Sequence, residues 1–292
     1  KQDTMNKKLL AIACSWGALL LSSCMDTSVV ESDMSEIPSQ GITYYDGTIY
    51  EYLENGDHSL GVTYDSLLYL LDCSGEGSSV PLKFQELKTC LQDEEGEYTL
   101  MAVPDSCIRL ALKTLNNYRR LNNLVIDAKD IPADAPESEK YAAGELTLEK
   151  LLNYRKEIEH TDAQTQKPKI DIYEYKAPLD TMLCRYMTAG LYDTEKLSRV
   201  TSAEGTIIQG LYSYRMNLSY RRLPASGYMG AGPQDITFYD MRNTLNMNYW
   251  ESTKVMWTDV QTKNGVVHVL FPQHEFGFGN FIHYFRNVGH EE

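Results

Sequence analysis

Residues 265–271 read Gly-Val-Val-His-Val-Leu-Phe and follow directly on Asn264. In a strand, successive side chains point to opposite faces, so residues 266, 268 and 270 form one row and residues 267, 269 and 271 the other. Both rows are apolar except at His268. Such a strand needs cover on both faces. It belongs inside a sheet, with His268 as a hydrogen-bonded core residue in preference to a ligand or base. Asn264-Gly265 is a hairpin signal, joining this strand to the run KVMWTDVQT at 254–262, where Trp257 is expected in the core.

The rest of the chain is arranged around that requirement. Short helices are predicted near 45–55, 64–73 and 82–91, where Leu67, Leu68, Leu70 and Leu71, then Phe84, Leu87 and Leu91, recur at helical spacing. EYTLMAV (97–103) predicts a strand. Pro104-Asp105-Ser106 opens a helix to about Tyr118, with Cys107, Ile108, Ala111, Leu112, Leu115 and Tyr118 on one face. Asp105 is expected to cap that same helix. Residues 127–146 are charged and without pattern, an exposed loop. Helical spacing returns at 146–159, IDIYEYKAP alternates like a strand, and TMLCRYMTAG is again helical, with Gly190 as its C-cap. From about residue 197 the pattern is β-rich: SRVTSAE, TIIQGLYSYRMNLSYRRL, QDITFYD, the two hairpin runs and NFIHYFR. Helices and strands segregated along the chain make the fold class α+β.

The first residues read as an address. Lys7 and Lys8 precede an apolar run, Leu9–Leu21, that is too short to span roughly 30 Å of hydrocarbon. The ending Leu21-Ser22-Ser23-Cys24 resembles the lipobox of bacterial lipoproteins. That resemblance implies a signal peptide over 1–23, a start at Met5, and acylation of Cys24. Residues 24–41 are polar and acidic, a flexible tether. Asp26, Glu31 and Asp33 resemble the surface-export signals of Bacteroidetes lipoproteins. The expected location is the outer membrane, facing outward.

Charge and chemistry narrow the function. The 292-residue chain carries a net charge of −14, and loss of residues 1–23, with three lysines and one aspartate, would leave −16. Acyl chains would therefore hold it to a membrane, with no basic patch to assist. Nucleic acid is excluded as a partner because no basic footprint is present. A hydrophobic share of 42% describes a globular body, neither a disordered tail nor a polytopic membrane protein. Cys107 and Cys184 are expected as buried thiols, whereas Cys73 and Cys90 are left open between thiols and a bridge. No GxSxG, HExxH, P-loop, GxGxxG or EF-hand pattern occurs, and His268, His274, His283 and His290 share no helical face. Neither a catalytic set, a metal nor a cofactor is expected. Tyr212, Tyr214, Tyr220 and Tyr228, set among Arg215, Arg221 and Arg222, are either strand packing or a candidate binding surface.

Two segments together carry a family resemblance. TLMAVPDSCIRLAL (99–112) resembles the first conserved box of the fasciclin (FAS1) domain, through Thr99, Leu100, Ala102 and Asp105. VQTKNGVVHVLF (260–271) resembles the second, through Thr262, Asn264, Gly265, Val266, Val267, His268 and Val269. Between them Arg185-Tyr186-Met187 departs from the Tyr-His often found there, and the long interval makes 127–146 and 192–250 insertions. The resemblance covers about 43–285 and implies a single enlarged fasciclin-like β-wedge or sandwich over 42–286, flanked by N-terminal helices. It also implies an adhesion-type, non-catalytic module that binds protein partners at the cell surface. For Bacteroidetes members it implies a role accessory to SusC/SusD-like nutrient-uptake complexes. The alternatives are a glycan-binding lipoprotein using Tyr and Trp platforms and, more remotely, an envelope hydrolase.

Overall fold

The computed structural model describes residues 42–56, 61–124, 136, 144–162, 166–202, 204–224 and 232–291. The expected signal and tether, Cys24, Tyr228 and most of 127–146 lie outside the described residues. The chain opens with β1 (Thr43–Tyr44), α1 (Ile49–Asn55), α2 (Asp65–Leu71) and α3 (Phe84–Gln92). It continues with β2 (Tyr98–Ala102), α4 (Asp105–Leu121), α5 (Leu148–Asn153), β3 (Arg155–Thr161) and β4 (Pro168–Glu174). Then come α6 (Lys176–Leu183), β5 (Met187–Ala189), α7 (Thr194–Ser198), β6 (Thr206–Gln209), β7 (Arg215–Arg222) and β8 (Gln234–Asp240). A 3₁₀ turn (Met247–Tyr249), β9 (Glu251–Thr262), β10 (Gly265–Leu270) and α8 (Phe281–Phe285) complete the order. The fold is α+β.

Eight strands make one sheet, in the order β5-β2-β10-β9-β8-β7-β6, with β1 parallel to β9. The two ends approach each other, since the Thr188 hydroxyl donates to the Gln209 carbonyl at 2.8 Å, so the sheet nearly closes. β10 lies inside it, parallel to β2 and antiparallel to β9, and every one of its residues is buried. Helix α1 packs on β10, and α4 packs on α8. The two-sided apolar strand therefore finds the cover its sequence demands. β3 and β4 form a separate two-stranded hairpin.

Several local expectations are corrected. The predicted helix over 146–159 stops at Asn153 and its second half is β3. The apolar stripe Leu148, Leu151, Leu152 ends there, and residues 155–161 pair in full register with β4 instead. TMLCRYMTAG begins in the last three residues of α6 and ends in β5, so Gly190 caps no helix; with φ +89° it turns the chain after β5. The described residues of SRVTSAE form no strand: Ser198 ends α7, which Asp193 caps by accepting from Lys196 N at 2.7 Å and which buries Leu197. NFIHYFR is α8, because Phe281 and Phe285, one helical turn apart, are both fully buried. The expected insertion 192–250 is no loop, for it supplies α7 and three strands of the main sheet. Cys73 and Cys90 are free thiols, as are the buried Cys107 and Cys184.

Candidate functional site

Four polar residues that carry the family resemblance, Thr99, Thr262, Asn264 and His268, lie along the β2–β10–β9 seam, and the side chain of each binds backbone. The hairpin turn comprises Lys263 and Asn264, since Gly265 already pairs with Thr262. Asn264 is buried. Its Oδ1 accepts from Ile49 N at 2.8 Å, and its Nδ2 donates to the carbonyls of Leu91 and Asp93, both at 2.9 Å. One side chain thus binds the start of α1 to the end of α3. Gly265 is required by close approach, because a Cβ there would lie 2.1 Å from the Tyr98 carbonyl oxygen. The Thr262 hydroxyl donates to the Gly265 carbonyl at 2.9 Å.

His268 is fully buried. Its Nε2 lies 2.8 Å from the Tyr192 carbonyl and its Nδ1 accepts from Asp259 N at 3.3 Å, which assigns the proton to Nε2. Opposite it, β9 carries a bulge at Thr258-Asp259, with Asp259 at φ 56°. The Asp259 carboxylate in turn accepts from Thr194 N at 2.9 Å and from the Thr194 hydroxyl. Burial pushes the His268 imidazole below its ordinary pKa, so it stays neutral. Thr99 grips the same connection: its hydroxyl donates to the Gly190 carbonyl at 2.7 Å and accepts from Tyr192 N at 2.9 Å.

Asp105 caps a helix other than its own. As the first residue of α4, it accepts from Ser66 N at 2.7 Å, Asp65 N at 3.2 Å and the Thr63 hydroxyl at 2.5 Å. These are the otherwise unpaired donors at the start of α2, which has no side-chain cap of its own. Burial raises the Asp105 pKa, but the Thr63 and Ser66 hydrogen bonds outweigh it and hold the carboxyl below its ordinary range.

The tyrosines make internal contacts. The Tyr212 hydroxyl donates to the Asp180 carboxylate, and the Arg185 guanidinium lies over the Tyr214 ring, 4.1 Å from its centroid. Arg185 is also ion-paired to Asp240 at 2.9 Å, both side chains being buried. Tyr220 packs against the core. Trp257, expected in the core, packs against it while only partly buried.

The residue sequence reasoning missed is Tyr186. It is fully buried, with Phe276 and Phe278 stacked on it at centroid distances of 5.4 and 5.7 Å. Its hydroxyl meets His274 Nε2 at 2.8 Å and accepts from Gly277 N at 2.9 Å. Burial drives the His274 imidazole down to about 3, so it accepts from Tyr186 as the neutral ring. Residues 271–280 then run through successive turns: His274 N to Phe271 O, Phe278 N to Glu275 O and Asn280 N to Gly277 O. Gly277, Phe278 and Gly279 all have positive φ, and for Phe278 this conformation is strained. The recurring aromatics in PQHEFGFGNF were the available signal.

The outer side of this turn series borders a cleft of about 410 Å³. Phe271, Gln273, His274, Glu275 and Phe278 line it from the loop, and Glu251 to Lys254 line it from β9. Burial raises the pKa of the Glu275 carboxyl, and its Oε1 is buried with no hydrogen-bond partner. Lys254 is already engaged, donating to the Asp235 carboxylate at 2.8 Å and to the Thr237 hydroxyl at 2.7 Å. Tyr186 engages Nε2 of His274, one of its two ring nitrogens.

No protein-family model matches this sequence, and no curated protein matches it. Among the described residues no group of three or more His, Cys, Asp or Glu side chains converges to hold a metal ion. Among them, too, no helix is long and apolar enough to cross a membrane.

Proposed function

We propose that this chain is a non-catalytic interaction module on an enlarged fasciclin-like scaffold, tethered to the outer membrane through acylated Cys24 and binding a protein partner at the cell surface. One observation carries the reading. Thr99, Asp105, Thr262, Asn264 and His268, the polar positions of the two family boxes, all bind partners within the fold. The signature residues thereby serve folding, and recognition falls to what the scaffold displays. The surface best prepared for that is the 271–279 loop, whose strained turns are fixed from beneath by Tyr186. A preformed surface loses little conformational freedom on binding. Service beside a SusC/SusD-like uptake complex belongs to this reading as its cellular setting, and glycan binding is the competing one.

A photo-crosslinking residue placed at Gln273 in the full-length lipoprotein tests it in intact envelopes. The expected result is a discrete protein adduct, lost when the label is moved to Arg199, just past α7. Adducts only to polysaccharide would favour the glycan reading, and an unchanged pattern at both positions would sink the module reading. Metabolic labelling with a fatty acid tests the tether: incorporation should disappear in Cys24→Ala.

A further inference from the structure

We propose that the outer edge of β4 pairs with the same edge of a second copy of this chain, about a two-fold axis at Ile170, so that two β3–β4 hairpins make one continuous sheet. The inference goes beyond the reading of this chain as a partner-binding module and involves none of residues 271–279.

The edge is open. Among the described residues β4 pairs with β3 alone, in an unbroken register from Thr161↔Pro168 to Arg155↔Glu174. Just beyond that ladder Asp162 N donates to the Lys167 carbonyl at 2.9 Å. In an antiparallel pair hydrogen-bonded and non-bonded positions alternate. Counting from Asp162 and Lys167, Asp171 is a bonded position opposite Ile158, whereas Ile170 and Ile172 are non-bonded. The N–H and C=O groups of Ile170 and Ile172 therefore point away from β3. Both side chains are exposed there, Ile170 by 56% and Ile172 by 40%. An edge of this kind is a template for a further strand.

What selects a second copy is the edge's own sequence. Residues 168–172 read Pro-Lys-Ile-Asp-Ile, with Pro168, Ile170 and Ile172 on one face and Lys169 and Asp171 on the other. Laid antiparallel to itself about Ile170, the strand is complementary on both faces. Ile170 meets Ile170 of the copy, Ile172 meets Pro168, and Lys169 meets Asp171 twice, once on each side of the axis. The Lys169–Asp171 pairs fall at non-bonded positions, where side chains come closest and opposite charges stabilise. An axis at Asp171 would set the two aspartates against each other, and an axis at Ile172 would set Ile170 against Glu174. The β3 edge lacks this property, since self-pairing about its centre, Ile158, sets Glu157 against Glu159.

The interactions already present do not oppose the exchange. Within one copy Asp171 has Lys169 at 2.9 Å and His160 at 3.6 Å, on a face where all three side chains are at least 36% exposed and such pairs contribute little. Lysine and proline on an edge discourage pairing with a foreign strand. Here the copy's Asp171 answers Lys169, and Pro168 falls at the last pair, where its missing N–H forgoes a single bond. The net charge of −14 repels a second copy. Residues 167–173, with two lysines and one aspartate, do not share that sign. The contact is small, so the dimer is weak and reversible in solution.

Sedimentation equilibrium of the full chain in density-matched detergent tests it, and should show a mass that rises reversibly from monomer to dimer with concentration. Lys169→Asp and Asp171→Lys should each weaken dimerisation about tenfold, because both cross-axis pairs turn repulsive at once. An equimolar mixture of the two variants should form heterodimers, and the double variant Lys169→Asp/Asp171→Lys should regain the parent's affinity. Ile170→Cys should give a disulfide-linked dimer on mild oxidation in intact envelopes, since Cα atoms across a bonded pair lie about 5.5 Å apart, within disulfide reach. Glu159→Cys, on the β3 edge, should not. None of these positions is in the core, and unchanged thermal midpoints check that the variants fold. A monomeric mass at every concentration would overturn the proposal, as would a dimer indifferent to both charge variants or a mixture no more dimeric than its components. A disulfide adduct from position 170 to a different protein, with the chain itself monomeric, would give the edge to a foreign strand and end the second-copy assignment.

Discussion

The β2–β10–β9 seam and the β3–β4 hairpin are both built from strands in good register, yet they are held by different forces. In the seam, β10 is buried throughout, and the side chains of Asn264, His268 and Thr99 bind backbone that is remote in sequence. The hairpin exposes Ile170 and Ile172 and is secured by a few polar contacts. Chief among these is Glu291, whose carboxylate accepts from the Tyr154 and Tyr175 hydroxyls, both at 2.6 Å, while its side chain is 3% exposed. Glu174 adds a second, accepting from Ser79 N at 2.7 Å and from the Ser78 hydroxyl at 2.9 Å. The difference teaches that pairing alone does not set local stability. The seam should open only with global unfolding, whereas the hairpin should open by itself.

The sharpest way to break the contrast is Asn264→Ala. It strands the Ile49 N–H and the carbonyls of Leu91 and Asp93 together, and should lower stability by about 3–5 kcal/mol in urea unfolding. A loss below about 1 kcal/mol would show that water or relaxation replaces those bonds and that side chains contribute little to holding the seam.

Acid should act next. His274 ionises near 3 when folded, against 6.5 in an open chain, so below 6.5 the unfolded state binds a proton that the folded state refuses. Its contribution is whole above pH 6.5 and is lost as pH falls toward 3, amounting to roughly a few kcal/mol across that window. His268, pushed down by the same burial, adds to the slope, while Glu275, pushed up, opposes it. Urea midpoints between pH 7 and 4 should fall less steeply in His274→Gln, which keeps an acceptor for Tyr186. Parallel slopes in both proteins would refute the assignment.

Glu291→Gln should be milder in global unfolding, costing about 1–2 kcal/mol, but conspicuous locally. Burial alone would raise the Glu291 pKa, and the Tyr154 and Tyr175 hydrogen bonds hold it low instead, so the charged form is the one that binds. Amide exchange should quicken over 155–161 and 168–174 with no change in β10. Equal acceleration in both regions would mean that they unfold as one unit. The smallest effect belongs to Arg199→Ala: its pair with Glu195 is about three-quarters exposed on both sides, and thermal scans should not distinguish the variant.

Much of this contrast was already written in the chain. The two apolar rows of 265–270 required a central strand, the Leu and Phe spacings marked α2 and α3, and the apolar face from Cys107 to Leu115 marked α4. These readings held because each rests on a periodicity carried by several side chains at once. They failed where the deciding partner was remote. Residues 155–161 took their conformation from β4, residues 281–285 from the core that buries two phenylalanines, and Asp105 gave its carboxylate to a helix forty residues upstream. Tyr186 seemed only a departure from a familiar motif because nothing nearby in sequence announces His274 or Gly277.

By itself, then, the sequence determined the α+β class, the buried strand that organises the sheet and the polar residues needed around it, since hydrophobic period and turn chemistry act over a few residues. Only the tertiary structure decided which backbone each polar side chain would hold and that residues 271–279 would be fixed beside an unpaired carboxylate. Most of those outcomes depend on groups meeting across about forty to more than two hundred residues, where hydrogen bonding and desolvation are set by who arrives and no local pattern records it.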